Sequence, residues 1–290
     1  MAVKKENKKY KYLQLALKLT ITAVALYFVF RKIELDKLLT YYKTADLLYL
    51  FIALTAFVMG QFISALRLNV FFRKIDLYVS DRSNFKLYLL GMFYNVFLPG
   101  GIGGDAYKIY LLKKKFNYKI RSLFWCIFTD RLIGLLVLFC LAVFLFLFLP
   151  GYGRFQWYAC LLIPLAILVY HIFIRQFLPQ FKGIFFDTFS QSFFIQVLQL
   201  FCALFILFAF GISEEYVSYL FLFLISSIVA SLPITIGGVG AREITFLYGA
   251  EMLGLNTNLS VALSFMFYIM TLLTSLSGIY FSLDHKKIAL

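Results

Sequence analysis

Apolar runs at about 15–30, 47–66, 83–98, 122–149, 156–174, 192–211, 217–232 and 260–283 constrain this chain more than any other feature. Each is 16 to 28 residues long, the length of helix that a hydrocarbon layer about 30 Å thick demands. They are continuous runs, not the one-sided stripes of a helix that buries one face on a water-soluble core. Hydrophobic residues make up 62% of the 290 positions, against roughly half in water-soluble domains. The chain reads as an all-α polytopic integral membrane protein forming a single membrane domain over 1–290.

Net charge is +14, which in a water-soluble protein would point to nucleic acid. Here 21 of the 28 Lys and Arg lie within residues 1–121, beside apolar runs. That is how cytoplasmic connections facing anionic lipid look, and nucleic acid is not an expected partner. The N-terminus resembles a signal peptide but lacks a small-x-small cleavage site. It reads as a retained first span with its five early lysines inside. By the positive-inside rule 31–46 then lies outside and 67–86 inside. If 83–98 crossed fully, the six cations of 105–121 would fall outside, against the rule. The conflict disappears if 83–98 enters from the cytoplasm, breaks and returns. Carried onward, the rule yields about six spanning helices and two re-entrant or broken ones, with both termini cytoplasmic in an inner or plasma membrane.

Both breaks are visible. Leu98 to Gly104 reads L-P-G-G-I-G-G and Leu232 to Gly238 reads L-P-I-T-I-G-G, five matches in seven at an offset of 134. Each proline, Pro99 or Pro233, is followed nine positions later by a cation, Lys108 or Arg242. This points to an internal duplication, approximately 15–150 and 156–285. Three spans between the breaks would make it an inverted-topology repeat, a design of secondary transporters whose broken helices meet near the midplane. Non-helical backbone at that depth is tolerated only inside protein or beside a watery cavity. Freed N–H groups and a helix start can hold an anion there. Gly103, Gly104, Gly237 and Gly238 would supply the turns. Asp105 sits where a helix cap is expected, and Lys108 and Arg242 add positive charge.

Other ionisable groups lie inside the spans. Asp130 and Arg131 fall about eight residues into the 28-residue run 122–149. They mark either a functional group or the inner interface of a long tilted helix, with Arg131 able to reach a ligand or Asp105. Arg67 closes the second run and reads equally as a snorkelling or a ligand-binding side chain. Glu243 either orients Arg242, carries a coupling proton or caps a helix. The four cysteines lie in apolar runs without metal-ligand spacing, so neither a disulfide nor a metal site is expected. His171 and His285 fall near span ends, and no cofactor is implied.

The stretches "NVFLPGGIGGDAYKIYLLKK", "DRLIGLLVL" and "SLPITIGGVGAREITFLYGAEMLGL" resemble the transmembrane domain of lysylphosphatidylglycerol synthases over roughly residues 10–285. The resemblance implies lipid translocation, with membrane lipids as partners and a separate lipid-modifying enzyme as a further one. It carries Pro99, Gly103, Gly104, Asp105, Lys108, Asp130, Arg131, Pro233, Gly237, Gly238, Arg242 and Glu243 over as substrate-binding positions. Family members often place an Arg in the final span; "LSFMFYIMTLLTSLSG" has none. The sequence carries no aminoacyl-transfer domain, so synthase activity is not expected. The expectation is a flippase for an anionic or aminoacylated phospholipid or a glycosyl-phosphate lipid. The alternatives are a secondary transporter of a small soluble anion and a non-transporting membrane partner.

Overall fold

A computed structural model of the chain describes residues 8–97, 103–151, 153, 155–232, 238–283 and 288. Pro99, Pro233 and Gly237 lie outside the described residues. The helices are α1 (Lys8–Lys32), α2 (Leu35–Lys43), α3 (Leu47–Arg73), α4 (Asp81–Phe97), α5 (Gly103–Phe116), α6 (Ile120–Phe146), α7 (Phe155–Ala159), α8 (Leu162–Phe177), α9 (Phe185–Ala209), α10 (Tyr216–Ser231), α11 (Ala241–Leu253), α12 (Thr257–Leu276) and α13 (Ile279–Leu283). Among the described residues, five stretches are long and apolar enough to cross a membrane: Leu47–Arg73, Ile120–Phe146, Gln156–Phe177, Phe185–Ala209 and Thr257–Ser282. The chain is a polytopic all-helical membrane protein.

α4, α5, α10 and α11 have 17, 14, 16 and 13 residues. At 1.5 Å per residue they are roughly 20–25 Å long, short of a hydrocarbon core of about 30 Å. They form two antiparallel pairs. In the first, Asn95 meets Gly104, the Tyr94 and Tyr107 rings lie 4.2 Å apart, and Tyr88 lies beneath the Lys108 ammonium at 4.2 Å. In the second, the Asn256 N–H just beyond α11 donates to Tyr219 Oη near the start of α10, at 3.3 Å. Each pair returns to the end of the molecule from which it set out.

The long helices fix which ends these are. α3 and α9 pack antiparallel along their whole length, from Asp46 N–H on the Ala209 carbonyl (3.0 Å) to Arg67 on Ser192 (2.7 Å). Gly60 of α3 faces Ile195 and Leu198 of α9 at ordinary contact distance. α6 is also antiparallel to α3, with Cys126 at the Phe71 carbonyl. α12 starts at the opposite end, where Asn258 accepts from the Glu34 N–H at 2.9 Å. One end therefore gathers the connections that hold Arg73, Lys74, Arg82, Lys119 and Lys182 around a cluster containing Leu77, Leu112, Ile174 and Phe181. The other end holds Asp46, Glu214 and Glu215.

Shifting α3, α4, α5 and α6 by 134 residues lands within four residues of the starts of α9, α10, α11 and α12. Each helix runs opposite to its shifted counterpart. α1 lies outside this pattern and packs on the second pair, with Lys32 reaching Glu251 at 2.7 Å. α8 stands apart too: it packs on α6, and Leu165, Leu168 and Val169 are exposed, as lipid-facing residues are.

Candidate functional site

Three polar centres sit within the helical body. The first is at the start of α5. Asp105 lies two residues after the helix begins, yet it does not cap it. Its carboxylate is 5% exposed and gathers Lys108 Nζ at 3.3 Å and Arg131 Nη2 at 2.5 Å. Of the two partners expected for Arg131, the structure brings it to Asp105. Lys108 is 4% exposed, wedged between that carboxylate, the Tyr88 ring and Gly91. A side chain on Gly91 would collide with the Lys108 stem, so the α4 glycine is what admits the lysine. Gly104 lets the pair close: a Cβ there would stand 1.8 Å from the Gly91 carbonyl oxygen. Its N–H donates to Asn95 Oδ1 at 2.8 Å, supplying a partner that the start of α5 lacks. Gly103 opens the helix. The centre is compact, and its two cations already share one anion.

The second centre corrects the reading of Arg67. α3 does not end at residue 66 but runs two turns further, to Arg73, so Arg67 lies inside it. It is 6% exposed and does not snorkel. Its Nε donates to Asp130 Oδ1 at 2.7 Å and its Nη2 to Oδ2 at 3.2 Å, while Nη1 donates to Ser192 Oγ at 2.7 Å. Such a two-pronged pair is the strongest form of charge-assisted hydrogen bond. Asp130 is spent on this contact, which ties α3, α6 and α9 together.

The third centre is a cavity of about 270 Å³ at the meeting of α10, α11, α9 and α12. Gln196 and Phe267 line it near the midpoints of α9 and α12, so it lies at half the height of the long helices. Gly238 and Gly240 carry φ of +82° and +86° between the two short helices. Gly240 also meets Ala25 and Thr22 of α1, where a Cβ would stand 2.8 Å from the Ala25 Cβ. Two residues on, Arg242 projects from the first turn of α11 into the cavity. Its Nη2 donates to Ser227 Oγ at 3.2 Å, and its guanidinium lies 4.6 Å from the Phe267 ring centroid and 5.6 Å from that of Phe223. Among the described residues no carboxylate pairs with it.

Of the three readings of Glu243, the cap is visible in the geometry. Oε2 accepts from the Gly240 N–H at 2.6 Å and Oε1 from Ser264 Oγ at 2.9 Å. The first contact is half of a capping box at the start of α11. Glu243 makes no direct ion pair with Arg242, and both of its oxygens are taken up at the start of α11 and on α12.

The sequence-derived positions therefore divide. Gly103, Gly104, Asp105, Lys108 and Arg131 assemble at the first pair; Gly238, Arg242 and Glu243 assemble at the second; Asp130 joins neither. Gln196, Gln199, Ser227, Ser231, Tyr268 and Thr271 complete the cavity wall and were not anticipated. A signal was present: 196 and 199, 227 and 231, and 268 and 271 each repeat at three or four residues within an apolar helix. Such pairs share a face. Among the described residues, no group of three or more His, Cys, Asp or Glu is placed to hold a metal. Cys126, Cys140 and Cys202 are buried free thiols.

Residues 15–278 are similar throughout to one known membrane-domain family, matching the model described as lysylphosphatidylglycerol synthase TM region. No curated protein matches the chain.

Proposed function

Since the chain belongs to the lysylphosphatidylglycerol synthase transmembrane-region family, we propose that it is a lipid transporter and not an enzyme. Its cargo would be an anionic or aminoacylated phospholipid or a glycosyl-phosphate lipid. The observation that carries this reading is Arg242: a guanidinium without a carboxylate partner among the described residues, on a cavity at mid-height, at the tip of a broken helix pair. An unpaired charge inside a membrane protein is costly and marks a pathway by default. A phosphate would meet both the forked guanidinium and the start of α11. The headgroup would travel through the protein while its acyl chains stay in lipid.

The helix directions support an inverted repeat, with α3–α6 and α9–α12 as its halves. The two short antiparallel pairs support re-entrant hairpins entering from opposite faces. The clustering of cations at one end supports a cytoplasmic location for that end, in the plasma membrane. Small volume favours a second reading, transport of a soluble anion; a soluble phosphate that competes with lipid for Arg242 would point to it.

Two outcomes are expected. In proteoliposomes, Arg242→Ala is expected to lower lipid transport at least about tenfold, as loss of a charged hydrogen bond worth about 1.5–3 kcal/mol implies, with an unchanged melting profile. Transport at the wild-type rate would remove Arg242 from the pathway. The second outcome concerns sidedness. With Cys126, Cys140, Cys160 and Cys202 replaced, Asn256→Cys is expected to react with an impermeant maleimide on intact cells and Lys114→Cys only after permeabilisation. Labelling of Lys114→Cys from outside would mean that 83–98 crosses fully, and the re-entrant reading would fall.

A further inference from the structure

The charge inventory of the Arg242 cavity narrows the cargo, on the premise that the transport reading above holds. Arg242 contributes one positive charge. Glu243, the carboxylate in the wall, is 1% exposed, and each of its oxygens already accepts a hydrogen bond, from Gly240 and from Ser264. It keeps its negative charge but is turned to the start of α11, so it opens no carboxylate oxygen to a ligand, and no other described lining residue is acidic. The rest of the polar wall is neutral: the Gln196 and Gln199 amides and the hydroxyls of Ser227, Ser231, Tyr268 and Thr271.

These groups ask for a particular partner. A guanidinium fork matches the two free oxygens of a phosphodiester. Amides and hydroxyls both donate and accept, so they match hydroxyl groups, which do the same. Gln196 adds an independent sign. It is 4% exposed, and its Oε1 has no hydrogen-bond donor. A buried acceptor in that condition is costly until a donor arrives. An aminoacyl headgroup would instead bring an ammonium beside Arg242. The two like charges would repel in a poorly solvated space, with no exposed carboxylate between them. The volume of about 270 Å³ is near the small end of ligand sites, room for a phosphate and a compact headgroup.

We propose that the cavity selects a phosphodiester lipid with an uncharged, hydroxyl-bearing headgroup, such as a glycerol, inositol or sugar phosphate lipid, and discriminates against an aminoacylated one. The chemistry of the wall thus favours the unmodified lipid over its lysylated form.

Binding to the purified full chain is measured first, by thermal shift with dihexanoyl phosphatidylglycerol, dihexanoyl lysylphosphatidylglycerol and glycerol 3-phosphate. The first is expected to bind at least tenfold more tightly than the second. Gln196→Leu and Gln199→Leu are each expected to weaken the first several-fold and leave the second unchanged, a difference that a merely unstable variant would not produce. Transport of acyl-labelled phosphatidylglycerol, phosphatidylinositol and lysylphosphatidylglycerol in proteoliposomes follows. Faster movement of the first two supports the selection. Equal or tighter binding of the lysylated lipid overturns it, whatever the transport result. Glycerol 3-phosphate binding as tightly as the lipid, with no lipid moved, overturns the lipid as source and the transport reading with it, while the preference for an uncharged headgroup stands.

Discussion

Asp130→Ala is expected to lose about 3–5 kcal/mol of stability, the loss seen when one partner of a buried ion pair is removed. Arg67 would keep its charge at 6% exposure with Ser192 as its remaining partner. The damage therefore comes from the stranded guanidinium more than from the missing attraction. Two further variants separate these causes. Ser192→Ala removes one hydrogen bond to a charged group and should lose about 1.5–3 kcal/mol. The double variant Arg67→Met, Asp130→Leu removes both charges at similar volume and should recover most of the stability, because the desolvation penalty goes with them. Melting followed in detergent checks all three. A single variant that melts with the wild type, or a double variant worse than the single, would show that the pair does not hold α3, α6 and α9 together.

The second large effect is expected at Gly104. A methyl group there would stand 1.8 Å from the Gly91 carbonyl oxygen, which is main chain and cannot swing aside. Gly104→Ala must push α4 and α5 apart. That strains the N–H bond to Asn95 and the Asp105 cluster one residue on. Overpacking costs about 1–3 kcal/mol, and more where the obstacle is backbone, so about 3 kcal/mol or more is expected. Gly91→Ala makes the contrasting case. Its methyl group would meet the Lys108 stem at 2.1 Å, the far end of a flexible side chain. The lysine can shift, so the cost should be smaller even though the site is as crowded. Melting profiles rank the two, and the reverse order would mean that Lys108 is the fixed element and the α4–α5 contact the yielding one.

What the residues disclosed follows from physical necessity. A helix in lipid must stop where Pro and Gly crowd together, so both breaks were legible, and the charge balance across 105–121 asked for a turn after 83–98, where α4 and α5 are antiparallel. Asp105 and Arg131 met as one of the two expected alternatives, because α6 packs against α5 and brings residue 131 level with the start of α5. Arg67 and Asp130 were not legible as a pair. They are 63 residues apart on different helices, and their contact depends on the register in which α3 and α6 cross. The end of α3 was also misplaced: Arg67 stops the apolar run but not the helix, because a buried carboxylate is waiting for it. The cavity wall was hidden for a different reason. Single Gln and Ser residues in a span are cheap enough to be ornament, and they mark a surface only when several helices turn the same face inward.

The Arg67–Asp130 contact also orders events in time. A ribosome delivers Arg67 to the membrane 63 residues before its counter-charge and 125 before Ser192. An arginine at the centre of an isolated inserting helix costs up to about 3 kcal/mol. α3 is apolar enough to enter regardless, but it enters incomplete, and α6 is the first helix able to relieve it. The newborn chain therefore has a reason to keep α3 beside the insertion channel until α6 arrives. α9, the long antiparallel partner of α3, is synthesised last of the three and closes an assembly whose charges have already been matched.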